Sequence, residues 1–425
     1  MALSWFQIVR LGLVQMCLGA IVVLMTSTLN RLMVVELALP ALVPGLLVGL
    51  HYGVQITRPN WGFLSDSGGQ RSRWIIGGMV ALALGALLAT AAIPVIEAQA
   101  TVGLMLSVLA YAVIGLGVGA SGTSLLALLA TATAPRRRAA AATITWLMMI
   151  FGIAVTATVA GRFLDPYSHA RLLEVVAVVC VGAVMLTTLA IAGVERRVLA
   201  APEPDAMPFR QGLAEVWAEP AARNFTLFVF LSMTAYFMQE LILEPYAGLV
   251  FGFTPGQTTS LSGAQNGGVF AGMVLVGVAA TGLRLGSLRG WVIAGCLGSA
   301  LMLTGVALAG PLGLPLVPVV VALGFCNGVF AVSAIGSMMQ LAGQGRGARE
   351  GTRMGLWGAS QAIAAGFGGL MGAALADAFR TVASDATAFG LTFLLEAGLF
   401  LLAAMVAARV IGGAPSPLAR LVPGE

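Results

Sequence analysis

The segment from residue 195 to residue 222 reads ERRVLAAPEPDAMPFRQGLAEVWAEPAA and is the longest polar stretch of the chain. Long apolar stretches fill most of the sequence on both sides of it. Only 9% of the 425 residues are charged, 59% are hydrophobic, and the mean hydropathy is +0.97. A water-soluble fold of this length could not cover its surface with so few charges. The composition therefore predicts an all-α integral membrane protein.

Six apolar stretches precede this segment and six follow it, and each is long enough for a helix of about 20 residues to cross a bilayer. This 6+6 pattern predicts one six-helix bundle over residues 1–194 and a second over residues 223–411. Residues 195–222 would join them as a cytoplasmic linker with an amphipathic segment, and residues 412–425 would form a cytoplasmic tail. The twelve predicted spans are residues 9–32, 38–57, 74–95, 101–132, 141–163, 171–194, 223–250, 258–281, 290–309, 315–341, 353–378 and 387–411.

The positive charges predict which side of the membrane each loop faces. All 22 basic residues are arginines, and 18 of them fall in the terminal segments or in alternate gaps between spans. Only Arg31, Arg162, Arg171 and Arg380 fall on the other side. Because arginine-rich loops stay in the cytoplasm, both termini are predicted to be cytoplasmic. The net charge of +5 follows from this topology and predicts no nucleic-acid partner.

A short motif between the second and third spans indicates a fold family. The loop reads GFLSDSGGQR, beginning at Gly62. Gly62 allows close helix approach, Asp66 can cap a helix or pair with an arginine, and Gly69 supplies a tight turn. With Arg71, the pattern resembles the cytoplasmic loop signature of the major facilitator superfamily, although a glutamine stands where the first basic residue is expected. It predicts that fold and a loop that takes part in conformational change; the alternative is a turn whose arginines only set the topology.

Further segments resemble one branch of that superfamily. LHYGVQ begins at Leu50, MQELILEPY at Met238 and FTPGQ at Phe253. GLWG, which begins at Gly355, is followed by Gln361 in the eleventh span. Together they resemble the bacteriochlorophyll delivery family, the PucC-like and LhaA-like light-harvesting assembly proteins, over nearly the whole chain.

The resemblance implies a function that hydropathy alone does not. It implies a multi-pass protein of the inner (intracytoplasmic) membrane of a photosynthetic bacterium, which delivers bacteriochlorophyll and assists assembly of light-harvesting complexes. Bacteriochlorophyll is then the expected cargo. Light-harvesting polypeptides and membrane lipid are the expected partners, with pigment-synthesis enzymes as further candidates.

The sequence shows no catalytic motif that would support an enzyme, although one family member was once labelled a bacteriochlorophyll synthase chain. The sequence has no Gly-rich phosphate loop, no His and Cys at metal-ligand spacing, and no nucleophile–base arrangement in a soluble loop. We therefore expect no nucleotide cofactor and no enzyme activity. The alternative function is a proton-coupled major-facilitator transporter of a small amphipathic solute.

The second span carries a candidate pigment ligand. His51 is the only histidine within a predicted span, and intramembrane ionisable residues are functional candidates by default. A neutral imidazole is a natural axial ligand for the magnesium of a pigment, and Tyr52 and Gln55 accompany it on the same helix. The alternative is a structural histidine that is hydrogen-bonded to a neighbouring helix.

The seventh span carries two acids one turn apart, Glu240 and Glu244, too close to ionise together readily. An acid at a helix centre costs about 2.5–3.5 kcal/mol, so the pair predicts a polar site. Pro245 is expected to break the hydrogen-bond ladder there and to expose carbonyl oxygens within a cavity. The alternative is a hydrated structural pair at the membrane edge. Other candidates, each of which could instead serve helix packing, are Gln239, Tyr246, Asn266 and Gln361, with Trp146 and Trp357 as surfaces for a flat pigment.

Overall fold

Twelve helices make up the part of the chain that the computed structural model describes. The described residues are 3–58, 61, 71–133, 138–194, 217–283, 285–342 and 350–411. The helices are α1 (Trp5–Val35), α2 (Leu42–Val54), α3 (Arg71–Ala98), α4 (Ala100–Ala132), α5 (Arg138–Leu164), α6 (His169–Ile191), α7 (Pro220–Phe251), α8 (Pro255–Val276), α9 (Leu288–Leu312), α10 (Leu316–Ala342), α11 (Glu350–Arg380) and α12 (Asp385–Val410).

Eleven of these helices are long and apolar enough to cross a membrane, and α2 is the exception. It has 13 residues, which the 3-10 turn Gln55–Thr57 extends. The second span begins later than predicted, because Ala38 adopts a φ of 50° outside the right-handed helical region and Pro40 follows it. The all-α multi-span fold is thus confirmed, whereas the cytoplasmic location of both termini stays a prediction.

The helices enclose two large apolar cores. One collects buried side chains from α1 to α6 together with Leu241 of α7. The other collects buried side chains from α7 to α12 together with Ile150 of α5. We refer to α1–α6 and α7–α12 as the first and second halves. Most of the predicted linker and the whole predicted tail lie outside the described residues, as does the loop that carries Gly62, Asp66 and Gly69; Arg71 is the first residue of α3.

The two halves approach each other most closely where α5 meets α8. A Cβ atom on Gly263 would overlap Thr158, and one on Gly256 would overlap the carbonyl oxygen of Gly161. Small residues at such crossings let helix backbones come together inside a membrane. The two halves are therefore in close backbone contact at this crossing, within the seam between them.

A π-helical segment, Leu24–Thr28, interrupts the regular geometry of α1. Such widened turns are rare in proteins, and those that occur often lie at functional sites. The Tyr111 hydroxyl of α4 donates to the carbonyl oxygen of Met25 within it, at 2.7 Å. The segment faces the seam, since the Thr28 hydroxyl lies 3.0 Å from the Thr259 hydroxyl of α8.

Candidate functional site

Helix α7 runs from Pro220 to Phe251 with Pro245 inside it, and the hydrogen-bond ladder is interrupted at the proline. Proline has no N–H, so the carbonyl four residues earlier, that of Leu241, loses its usual helical partner. Asn30 of α1 replaces that partner, because its buried Nδ2 donates to the Leu241 carbonyl oxygen at 2.6 Å. The proline therefore creates a hydrogen bond between the halves.

The two acids of α7 lie against α1 and α8. Glu244 is 1% exposed, and its Oε1 accepts a hydrogen bond from the Ser262 hydroxyl, whereas its Oε2 has no partner among the described residues. Glu240 is half-buried and lies near the Thr26 side chain in the π-helical segment. Arg31 of α1 interacts electrostatically with Glu244. A hydrated position at the membrane edge does not fit a carboxyl as buried as that of Glu244.

A chain of hydrogen bonds along α2 fixes the tautomer of His51. Arg58 can only donate, so its Nη2 must bond to the Oε1 atom of Gln55. The Nε2 group of Gln55 then points at His51 Nε2, 3.0 Å away, and donates to it. A ring nitrogen that accepts carries no hydrogen, so the proton of the neutral imidazole lies on Nδ1.

This tautomer leaves His51 without a free lone pair for magnesium, because Nε2 is engaged and Nδ1 is protonated. The His51 side chain is 2% exposed, and Nδ1 has no hydrogen-bond partner within the described ranges. Axial ligation thus stays a prediction that requires Gln55 to turn away. The His51 ring meets Tyr52 edge-on at 4.9 Å, and Tyr52 meets Phe237 of α7 at 6.1 Å between centroids. These rings connect α2 to the second half.

A small cavity of about 30 Å³ lies between α5, α7, α8, α10 and α11, within about 350 Å³ of empty space that includes its open mouth. Met233, Met273 and Ala331 contribute to its largely apolar wall, and Trp146 and Gln361 contribute polar groups. The indole N–H of Trp146 is buried and has no partner in the described part of the chain. An apolar wall with a few polar groups has the composition of a small-molecule site, but the cavity volume of about 30 Å³ is far below the usual range of about 300–1,000 Å³.

The predicted cargo residues separate into two groups. Gln361 lines the cavity. Trp357 instead lies in the second core, Asn266 bonds to a carbonyl of its own helix, and Gln239 accepts a hydrogen bond from Gln265 at 3.3 Å. Their surroundings are those of helix packing.

Tyr246 stands within the hydrogen-bond ladder of α9. Its hydroxyl accepts from the Gly310 N–H at 3.1 Å and donates to the Val306 carbonyl oxygen at 2.9 Å, next to Pro311. The side chain repairs a helix that proline disturbs. This geometry assigns Tyr246 to the packing of α7 on α9.

Sequence reasoning missed the hydroxyl groups that surround the acidic pair. Two runs of three hydroxyl residues, Thr26–Thr28 and Thr258–Ser260, stand in α1 and α8. They meet across the seam through the Thr28–Thr259 contact. That repetition of hydroxyl runs is the signal that would have found them.

One end of the molecule, which we call the Arg31 end, carries the connections α1–α2, α5–α6, α7–α8 and α11–α12. Arg31 is buried there, pairs with Glu36, and donates to the Phe253 carbonyl oxygen at 2.9 Å. Asp165, which follows α5, accepts from the Thr254 hydroxyl at 2.6 Å and from the Gly256 N–H at 3.2 Å. Asp165 therefore caps the start of α8 from the other half.

Asp377 makes the reciprocal contact. In the last turns of α11, it accepts from the Ala41 N–H at 3.0 Å and from the Leu42 N–H at 2.7 Å, at the start of α2. Each half thus supplies one aspartate and receives one at a helix start. We call these two contacts the aspartate clasps.

Comparisons with known proteins agree with this architecture. The sequence model of the PUCC protein family matches residues 28–414. The chain is 66% identical over 414 residues to the bacteriochlorophyll synthase 44.5 kDa chain of Rhodobacter capsulatus, covering 97% of this chain and 96% of that one. It is 30% identical over 427 residues to Protein PucC of Cereibacter sphaeroides, covering 94% and 91%.

A solved structure shares the fold at much lower identity. The bacterial homologue of the human lysosomal transporter Spinster, in its inward-facing and unoccupied conformation, matches with a TM-score of 0.70 and 13% identity, covering 96% of this chain and 98% of that one. This likeness supports an integral membrane protein of the major facilitator fold. The family resemblance seen in the sequence is confirmed by the match over residues 28–414, and the chain belongs to the PUCC protein family.

Proposed function

We propose that this protein carries bacteriochlorophyll within the membrane and delivers it to light-harvesting polypeptides, without catalysing a step of pigment synthesis. The chain is a multi-pass membrane protein whose relatives include one named for bacteriochlorophyll. The observation that carries the proposal is the apolar cavity between the halves, with the aromatic residues Trp146, Tyr236 and Phe237 in its wall. Aromatic faces and one unpaired indole N–H suit a flat pigment that bears carbonyl oxygens.

The proposal also makes demands on conformation and location. A tetrapyrrole with its tail is far larger than a cavity of about 30 Å³, so the halves would have to separate at the end opposite the Arg31 end when cargo enters. The proposed location is the intracytoplasmic membrane, with both termini cytoplasmic. Pigment-synthesis enzymes are the proposed donors of cargo, and light-harvesting polypeptides the acceptors.

The cavity is tested by filling it. Ala331 is 7% exposed in the cavity wall, whereas Ala91 lies exposed on α3. Overpacking costs about 1–3 kcal/mol, so Ala331→Phe should lower bound pigment by about 5- to 150-fold. Ala91→Phe should leave it unchanged. The measurement is the absorption spectrum of each protein after purification from a pigmented host. Wild-type protein that carries no pigment from such a host would contradict the proposal.

A second candidate is a proton-coupled transporter of a small amphipathic solute. The observation in its favour is the acidic pair of half-buried Glu240 and buried Glu244, beside the π-helical segment at the seam. Replacing both acids by glutamine keeps their volume while removing the charge. Loss of pH-driven flux in vesicles, with antenna accumulation intact, would favour this candidate over pigment delivery.

A further inference from the structure

Arg58 lies beyond the last turn of α2 with its hydrogen bonds incompletely used. Its side chain is half-buried, and its described hydrogen bond goes to the neutral amide of Gln55. The Arg58 Nε is buried and has no hydrogen-bond partner among the described residues. No carboxylate among those residues pairs with the guanidinium either. A buried guanidinium N–H without an acceptor costs free energy, and a ligand that brings an acceptor recovers it.

His51 offers a second donor on the same side of α2. The bond from Gln55 fixes its proton on Nδ1, and that N–H is also buried and unpaired within the described ranges. His51 and Arg58 are seven residues apart, about two helical turns, so their side chains project in similar directions. Between them, Gln55 binds both and holds their orientations.

This pair of donors adjoins the cavity through aromatic contacts. The Tyr52 ring touches His51 on one side and Phe237, a cavity residue, on the other. The Tyr52 hydroxyl interacts electrostatically with both Arg58 and Glu240. A ligand that reaches from the cavity past Tyr52 would place its edge beside the two donors.

We propose that His51 Nδ1–H and Arg58 Nε–H bind peripheral carbonyl oxygens of the cargo, so that tetrapyrroles are recognised through their edge and independently of the central metal. The inference rests on the proposed function, and it gives His51 the role of hydrogen-bond donor. Gln55 becomes a positioning residue, because its amide sets the His51 tautomer. Axial ligation of magnesium by His51 would require Gln55 to release the Nε2 atom of His51. It therefore predicts the opposite effect of replacing Gln55.

Two probes distinguish these roles in the full-length protein in detergent. The first compares binding of bacteriochlorophyll with binding of its magnesium-free form. Recognition through carbonyl oxygens predicts dissociation constants for the two pigments that agree within about threefold, since neither donor contacts the metal. A magnesium-free pigment that binds more than about tenfold more weakly would overturn the inference.

The second probe is Gln55→Leu, with Gln99→Leu at the exposed turn between α3 and α4 as its matched control. Loss of the positioned donor should weaken the binding of both pigments about five- to tenfold, which is the effect of one net hydrogen bond. Release of a magnesium ligand would instead strengthen the magnesium pigment alone, and that result overturns the inference. Arg58→Gln should reproduce the loss, and it decides the question if Gln55→Leu folds poorly. If the wild-type protein binds neither pigment, the proposed function itself fails and this inference falls with it.

Discussion

Single polar side chains in this protein repair helices that proline disturbs. Asn30 supplies the donor that Pro245 cannot, and Tyr246 enters the ladder of α9 beside Pro311. Inside a membrane an unpaired carbonyl or N–H has no water to bond to, so these repairs hold neighbouring helices together. Both link α7 to another helix, which makes α7 the most cross-connected helix of the site.

Tyr246→Phe separates this repair role from a role in cargo binding. The change removes only the hydroxyl, leaving the Gly310 N–H and the Val306 carbonyl oxygen unpaired, so we expect stability to fall by about 1–3 kcal/mol. Tyr167→Phe is the control, because the Tyr167 hydroxyl bonds to the partly exposed His169 at the Arg31 end. Thermal unfolding in detergent measures the difference. A Tyr246→Phe protein of normal stability but reduced pigment content would show that the hydroxyl serves cargo.

Residue types could be predicted from the sequence better than residue roles. His51 and Glu244 stood out because ionisable groups are rare in apolar spans, and both are indeed buried polar groups of α2 and α7. The tautomer of His51 depends on Arg58 acting through Gln55, and no spacing rule encodes that orientation. Trp357 was predicted as a surface for a pigment because the sequence does not show that tertiary packing buries it in the second core.

At the scale of helices, the aspartate clasps hold the Arg31 end closed. Asp165 caps α8 and Asp377 caps α2, so separation of the halves at this end would uncover two helix starts at once. Each cap contributes about 0.5–2 kcal/mol. The clasps therefore bias the molecule towards closure at this end.

Replacing both clasp aspartates by alanine should open the Arg31 end. Thr259 is buried at the seam, so Thr259→Cys reports opening through its rate of labelling by a water-soluble thiol reagent. Removing both caps costs about 1–4 kcal/mol of stabilisation of the closed end, so the labelling rate at position 259 should rise at least about fivefold. Labelling of the four native cysteines is the background for this comparison. Glu97→Ala is the control, since Glu97 pairs with His169 within the first half. An unchanged rate would show that the clasps do not govern closure.

Helix positions followed from hydropathy because twelve apolar runs alternate with polar gaps. One exception has a local cause, because α2 begins late after Ala38 and Pro40. Helix α7 continues through Pro245 as the predicted span does, and Asn30 completes its hydrogen bonding. Neither the clasps nor the π-helical segment could be predicted, since each depends on a helix from a distant part of the chain.

At the scale of the whole molecule, the arginine distribution predicts a single orientation in the membrane. A cysteine at Glu203 in the linker should be labelled from the cytoplasmic side, and one at Val382, which is 84% exposed at the Arg31 end, only from the opposite side. The measurement is labelling by a membrane-impermeant thiol reagent in intact cells and in inverted vesicles. Labelling of both sites from one side would reject the twelve-span topology.

The clasp at α2 also has a consequence for the order in which the protein matures. The Ala41 N–H and its acceptor on Asp377 are 336 residues apart in the chain. At about 5–20 residues per second, the ribosome needs roughly 20–70 s to make the second partner after the first. During that interval α2, already the shortest helix, has entered the membrane with its first N–H groups uncapped. The first half can reach its finished form only when the eleventh helix has been made, so its completion depends on synthesis of most of the second half.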